Sequence, residues 1–189
     1  MASTLKPESL LTALFLLIAF TYPQFGSGLF EKAESGFSSL ARKRGTSILI
    51  CGLLALALRA LILGVSPIPS PSVHDEFSHL LIADTLLKGR LANPSHPMWV
   101  HFETFHEFFK PTYASMYPPL QGLILAAGKL LTGYYFAGVW FSVGLMCGAI
   151  CWMLQAWLPP QWALLGGLLP VMRFGVFSYW DDSYWGGEI

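Results

Sequence analysis

Between Pro111 and Trp180 the chain carries just two charged residues, Lys129 and Arg173. A soluble domain averages about 25% charged residues, so a run this long without them is not how a water-facing core is written. The surround it suits is lipid. The rest of the chain agrees: 54% of residues are hydrophobic and 12% charged, which points to an integral membrane protein. A formal net charge of zero gives no electrostatic case for nucleic acid or for a polybasic surface site. The three cysteines, Cys51, Cys147 and Cys151, all lie inside apolar runs. They read as small polarizable packing residues rather than a disulfide framework.

Four apolar runs organise the chain. The first, within residues 10–25, is short and broken by Pro23, and with the basic stretch after it forms an N-terminal region, 1–45. The second, 46–66, is long enough to span, since about 20 residues cross the hydrocarbon. Arg42, Lys43 and Arg44 stand directly before it, so the positive-inside rule puts its start in the cytoplasm and residue 67 onward outside. Two further spans are expected at 135–158 and 161–180, joined by Pro159-Pro160. Gly144 and Gly148 form a GxxxG pair suited to close helix packing. The run 118–133 is the ambiguous piece. At about 1.5 Å per residue its sixteen or so residues reach roughly 24 Å, short of a core of about 30 Å. Read as a surface helix, it leaves residues 67–134 as one extracytoplasmic loop and returns 181–189 to the same side.

That loop is opened by Pro-Ile-Pro-Ser-Pro-Ser, holds all five histidines and carries Ser72-Val-His-Asp-Glu-Phe-Ser-His79 near its start. Zinc chemistry of the protease type needs histidines four apart on one helix face. Here His74 and His79 are five apart, about 140° around a helix, so no metal site is expected. The bland reading of the carboxylates is a helix start, with Ser72 as N-cap and Asp75 in the first turn. The chemical reading is a general base at a membrane–water boundary, Asp75, with Glu76 sharing its charge. Arg59 lies about 10 Å below the outer end of its span. A membrane-embedded arginine snorkels or finds a partner, here a lipid phosphate or the Asp75-Glu76 pair. Arg173, eight residues before Asp181, invites the same two readings.

An intramembrane arginine, an Asp75-Glu76 pair just outside, an amphipathic helix, Pro118-Pro119-Leu120 and Gly128-Lys129 occur in that order. This order resembles the C-type (GT-C) membrane glycosyltransferases, and within them the polyprenyl-phosphate-sugar transferases grouped with protein O-mannosyltransferases and aminoarabinose transferases. The resemblance implies an all-α, polytopic transmembrane helix bundle whose extracytoplasmic loop contains amphipathic surface helices. It implies an enzyme of a bacterial plasma membrane working on the outer side; no cofactor is expected, the lipid-linked donor being a substrate, and a divalent metal stays open. A sugar would pass by inverting displacement from a polyprenyl-phosphate donor to a glycan, lipid or protein acceptor. Asp75 would be the base, Glu76 its support, Arg59 and Arg173 donor-phosphate ligands, and Asp181 or Asp182 the second-loop carboxylate. Members of that group have more spans and a C-terminal portion, so the expectation is an N-terminal portion of such an enzyme. The alternative is a non-catalytic multi-pass membrane protein, an assembly subunit or remnant.

Overall fold

The computed structural model describes residues 7–22, 24, 26–174, 178 and 182–185. The chain divides into two units, Met1–Leu40 and Ala41–Ile189. In the first, helix α1 (Pro7–Thr21) exposes Leu10, Leu14, Phe15, Leu17 and Phe20 on all sides. Helix α2 (Ser27–Arg42) starts there and is amphipathic: Leu29, Phe30, Ala33, Phe37 and Leu40 recur at helical spacing opposite Glu31, Lys32 and Glu34.

The second unit runs α3 (Arg44–Ile62), α4 (His74–Leu87), β1 (Asn93–Pro94), β2 (Glu107–Phe108), β3 (Thr112–Ser115), α5 (Pro119–Thr132), α6 (Phe136–Leu154) and α7 (Pro160–Phe174). On α3, residues four apart form the buried stripe Ser47, Cys51, Ala55 and Arg59, while Leu49, Leu53 and Leu61 face outward. The stripe is made of small side chains until its last member, and it packs along α6. A Cβ added to Gly52 would lie 3.0 Å from the carbonyl oxygen of Gly144, so the two backbones cross in near contact there. Helix α7 packs against both. Gly167 fits where a Cβ would stand 2.6 Å from Cys151 Cβ and 2.9 Å from Cys51 Sγ. All three cysteines are buried thiols.

A second close crossing joins α5 to α6. A Cβ on Gly138 would meet Ile124 O at 2.2 Å, and one on Gly128 would meet Gly138 N at 2.2 Å. The obstacles are backbone atoms, which no rotamer change can move. Gly138→Ala is therefore expected to destabilise by at least about 2 kcal/mol through overpacking. Gly64→Ala, with nothing within 4 Å of the added carbon, serves as the tolerated comparison. Equal thermal midpoints for the two variants in a bilayer mimetic would refute the crossing.

The polytopic all-α bundle expected from the sequence is not the fold observed. Among the described residues only α3 and α6 are long and apolar enough to cross a membrane. The expected span at 161–180 is realised as α7, whose 15 residues reach about 22 Å against a core of about 30 Å. Hydropathy measures how apolar a run is, not how far one helix continues through it. The run contains Gly166, Gly167 and, inside the helix, Pro170. Residues 175–177 and 179–181 lie outside the described set. Nor is the loop purely helical, because β1, β3 and β2 form a three-stranded antiparallel sheet in that order.

Candidate functional site

Helix α4 starts at His74, with Val73 rather than Ser72 at the N-cap position. Valine has no acceptor to offer the first turn, and the capping is done from the other side. Glu76 Oε2 accepts from the backbone N–H groups of Ser72 at 2.7 Å and Val73 at 3.2 Å, the reciprocal half of a capping box. Its second oxygen, Oε1, accepts from Tyr184 N at 2.9 Å. Glu76 is 3% exposed, and these bonds account for a charge so deeply placed.

One residue earlier means about 100° of rotation on the helix, and Asp75 consequently faces elsewhere. Its Oδ1 accepts a hydrogen bond from the Tyr117 hydroxyl and lies 3.7 Å from His106 Nε2. The Tyr117 hydroxyl is also 3.0 Å from His106 Nδ1. With the phenol proton given to Asp75, a proton on His106 Nδ1 satisfies the phenol oxygen in turn. Tyr117 stays a donor: burial first, and Asp75 beside it, push its pKa up to about 12. His106 has φ of +68°, a left-handed conformation uncommon for a side chain of this size. Its carbonyl is pinned by Ser78 Oγ at 2.7 Å and Met116 N at 3.1 Å. A costly backbone held by its surroundings, with its ring aimed at the Asp75–Tyr117 contact, marks the locus.

His79 completes the cluster. It is four residues beyond Asp75, on the same face of α4, and its ring stacks on Tyr117 at 4.6 Å between centroids. Among the described residues its buried Nδ1 meets no hydrogen-bond partner. Burial lowers its pKa, with Asp75 opposing. A histidine whose folded pKa lies below its unfolded one holds fewer protons when folded, so stability is full above the unfolded pKa, near 6.5, and falls as pH drops below it. We expect the thermal midpoint to fall more between pH 7.5 and 5.5 in the wild-type protein than in His79→Gln. Identical pH slopes would remove His79 from this role.

Arg59 does not meet Asp75 or Glu76. Its Nη2 lies 2.7 Å from Asp182 Oδ1, and Nη1 donates to Ser66 O at 2.9 Å. The guanidinium also stands 5.2 Å from the centre of the Phe136 ring. Gln121 Nε2 donates to Tyr184 O at 3.0 Å, and the Tyr184 hydroxyl to Pro69 O at 3.1 Å. The 182–185 segment is thus strapped down by Arg59, Glu76, Gln121 and Pro69. Asp181 lies outside the described residues. Arg173 is exposed and joins none of these contacts; its guanidinium is 5.9 Å from the Phe174 ring centre. Among the described residues no group of three His, Cys, Asp or Glu side chains is placed to hold a metal ion.

No family model, curated protein or solved structure matches the chain. The sequence does not mark Tyr117, His106 and His79 as partners of Asp75. Only the i,i+4 spacing of Asp75 and His79 could have signalled any of this. The other two pairings join residues 42 and 31 positions away along the chain, and no local pattern encodes them.

Beside the cluster is an open groove of about 950 Å³, walled by His74, Phe77, Phe105, Glu107, Phe109 and Tyr113 among others. His74, the residue before Asp75, belongs to this wall. The Tyr113 hydroxyl hydrogen-bonds Glu107. Burial raises the Glu107 pKa, opposed by that bond and by His74, and burial with Glu107 alongside pushes Tyr113 up to about 12.

Proposed function

We propose that the chain is a membrane-inserted glycosyltransferase that takes a sugar from a polyprenyl-phosphate donor, with Asp75 as general base. The observation that carries the reading is the Asp75 carboxylate, oriented by Tyr117 and faced by His106 in strained backbone, thirteen residues past the end of an apolar helix long enough to span. The basic triplet at residues 42–44 favours a cytoplasmic start for α3, which puts the cluster on the outer side. A lipid-linked donor and a water-borne acceptor meet at such a boundary.

In the displacement, Asp75 takes the proton of the acceptor hydroxyl as its oxygen attacks the anomeric carbon. The bond from that carbon to the phosphate oxygen breaks, and the polyprenyl phosphate leaves with the electron pair. Both contacts of Asp75 fall on Oδ1, and Oδ2 is the oxygen an acceptor would approach. Asp75 is 22% exposed, open enough for that approach. Arg59 could receive the phosphate only in exchange for Asp182. Glu76, tied to three backbone N–H groups, is a positioning residue for Asp75.

A second reading, a non-catalytic membrane subunit, is favoured by one observation: Arg59, Glu76 and Asp182 are all engaged in contacts that hold the fold. The two are separated by incubating the protein in lipid nanodiscs with radiolabelled polyprenyl-phosphate sugars and a membrane-derived acceptor pool. Sugar transfer or donor breakdown that depends on the protein supports the enzyme. Neither, from a folded protein across the donor set, leaves the subunit.

A further inference from the structure

The groove beside the cluster has a chemical character of its own. Its walls are aromatic and aliphatic, and Phe77, Phe102 and Phe105 are each more than half exposed. Besides the phenols of Tyr113 and Tyr135 its ionisable members are His74, His96, Asp84 and Glu107, and no lysine or arginine lines it. The two carboxylates are not equivalent. Lys88 Nζ lies 2.6 Å from Asp84 Oδ2 and neutralises it. Among the described residues no lysine or arginine forms an ion pair with Glu107; the side chains that act on it are the Tyr113 phenol and the His74 imidazole. An anion in an apolar wall without a counter-cation is costly to hold, and aromatic faces attract cations as well.

We propose that this groove binds an amphipathic amine, its ammonium group on Glu107 among Phe105, Phe109 and Tyr113, and its apolar body along Phe77 and Phe102. A volume of about 950 Å³ is at the upper end of what drug-sized ligands fill. Charge selects the occupant. A fatty-acid carboxylate or a lipid phosphate would bring a second anion to Glu107, whereas an ammonium relieves it with a charge-assisted hydrogen bond. The inference does not rest on the transfer reading, because Asp75 is not part of the groove wall.

Three probes with one body and different heads test it: 4-phenylbutylammonium, 4-phenylbutanol and 4-phenylbutyrate. Each is titrated into the full chain in nanodiscs by calorimetry, with empty nanodiscs subtracted. The ammonium probe is expected to bind about tenfold more tightly than the alcohol, and the carboxylate more weakly than both. Glu107→Gln brings the ammonium probe to the alcohol's affinity and leaves the alcohol unchanged. Asp84→Asn keeps the preference, since Lys88 already meets that charge. Phe105→Ala weakens all three probes together. Absence of saturable ammonium binding, equal affinities for the three heads, or a preference that survives Glu107→Gln overturns the proposal. Loss of the preference in Asp84→Asn instead overturns the assignment to Glu107. Unchanged circular dichroism in each variant excludes misfolding as the cause.

Discussion

Asp75→Asn is expected to lower sugar transfer by about 10²- to 10⁴-fold, the range a positioned general base contributes. The substitution is close to isosteric, and the amide oxygen can still accept the Tyr117 proton, so the first turn of α4 has no reason to move. Glu76 keeps its bonds to Ser72, Val73 and Tyr184, and with them the start of the helix. What is lost is basicity: an amide cannot take a proton from an attacking hydroxyl. The loss should fall on kcat, with KM changed little, because the proton moves only in the transition state. Tyr117→Phe should cost less, up to about tenfold, since the base survives without the donor that orients it. Glu76→Gln probes something else. It weakens the charge-assisted bonds that cap α4 and hold residue 184, so its effect should appear in thermal stability before activity. Wild-type turnover in Asp75→Asn, at equal folded protein, removes Asp75 as the base.

Legibility in the sequence follows the range of the interaction. The charge-poor run after Pro111 already shows that apolar helices pack there. The small residues of α6, Gly144 and Gly148, are spaced for a close helix neighbour. Both signals are local and periodic, and α6 is found there, crossing α3 at Gly52. The number of spans is a different matter, because an apolar run does not announce where its helix stops. Proline and glycine at 166–170 fit a shorter α7 in place of a crossing helix. The strands are two to four residues long, too short for alternation to emerge. In the cluster, Asp75 and Glu76 are adjacent and chemically alike, and their division into a facing carboxylate and a capping carboxylate is a consequence of 100° on a helix plus the position of residue 184. His106 takes part through a left-handed backbone that is uncommon outside glycine, and the bonds of its carbonyl to Ser78 and Met116 hold it there.

Asp182→Ala is expected to cost about 3 kcal/mol of stability, and Arg59→Met substantially less. The asymmetry comes from exposure. The Arg59 side chain is 4% exposed and that of Asp182 41%, so the two residues lose different things when the pair is broken. Without Asp182, a guanidinium remains buried beside an apolar helix stripe, with one carbonyl and one aromatic ring for company. Removing one partner of a buried pair typically costs about 3–5 kcal/mol, because the charge left behind is uncompensated; the half-exposed carboxylate places this case at the low end. Without Arg59, Asp182 is left near water, and an isolated, solvated aspartate loses about 1 kcal/mol or less. Methionine fills much of the arginine stem's volume, which limits the cavity. The double variant Arg59→Met, Asp182→Ala should therefore be more stable than Asp182→Ala alone, a sign that additive contacts cannot produce. Unfolding midpoints of the four proteins in one bilayer mimetic close the cycle. Additivity within about 0.5 kcal/mol would mean that the pair does not couple the end of α3 to the 182–185 strap. A coupling of more than about 1 kcal/mol would identify Arg59 as the residue that closes this side of the fold. An anionic headgroup reaching Arg59 would then have to displace Asp182 and loosen the strap that Glu76 and Gln121 also hold.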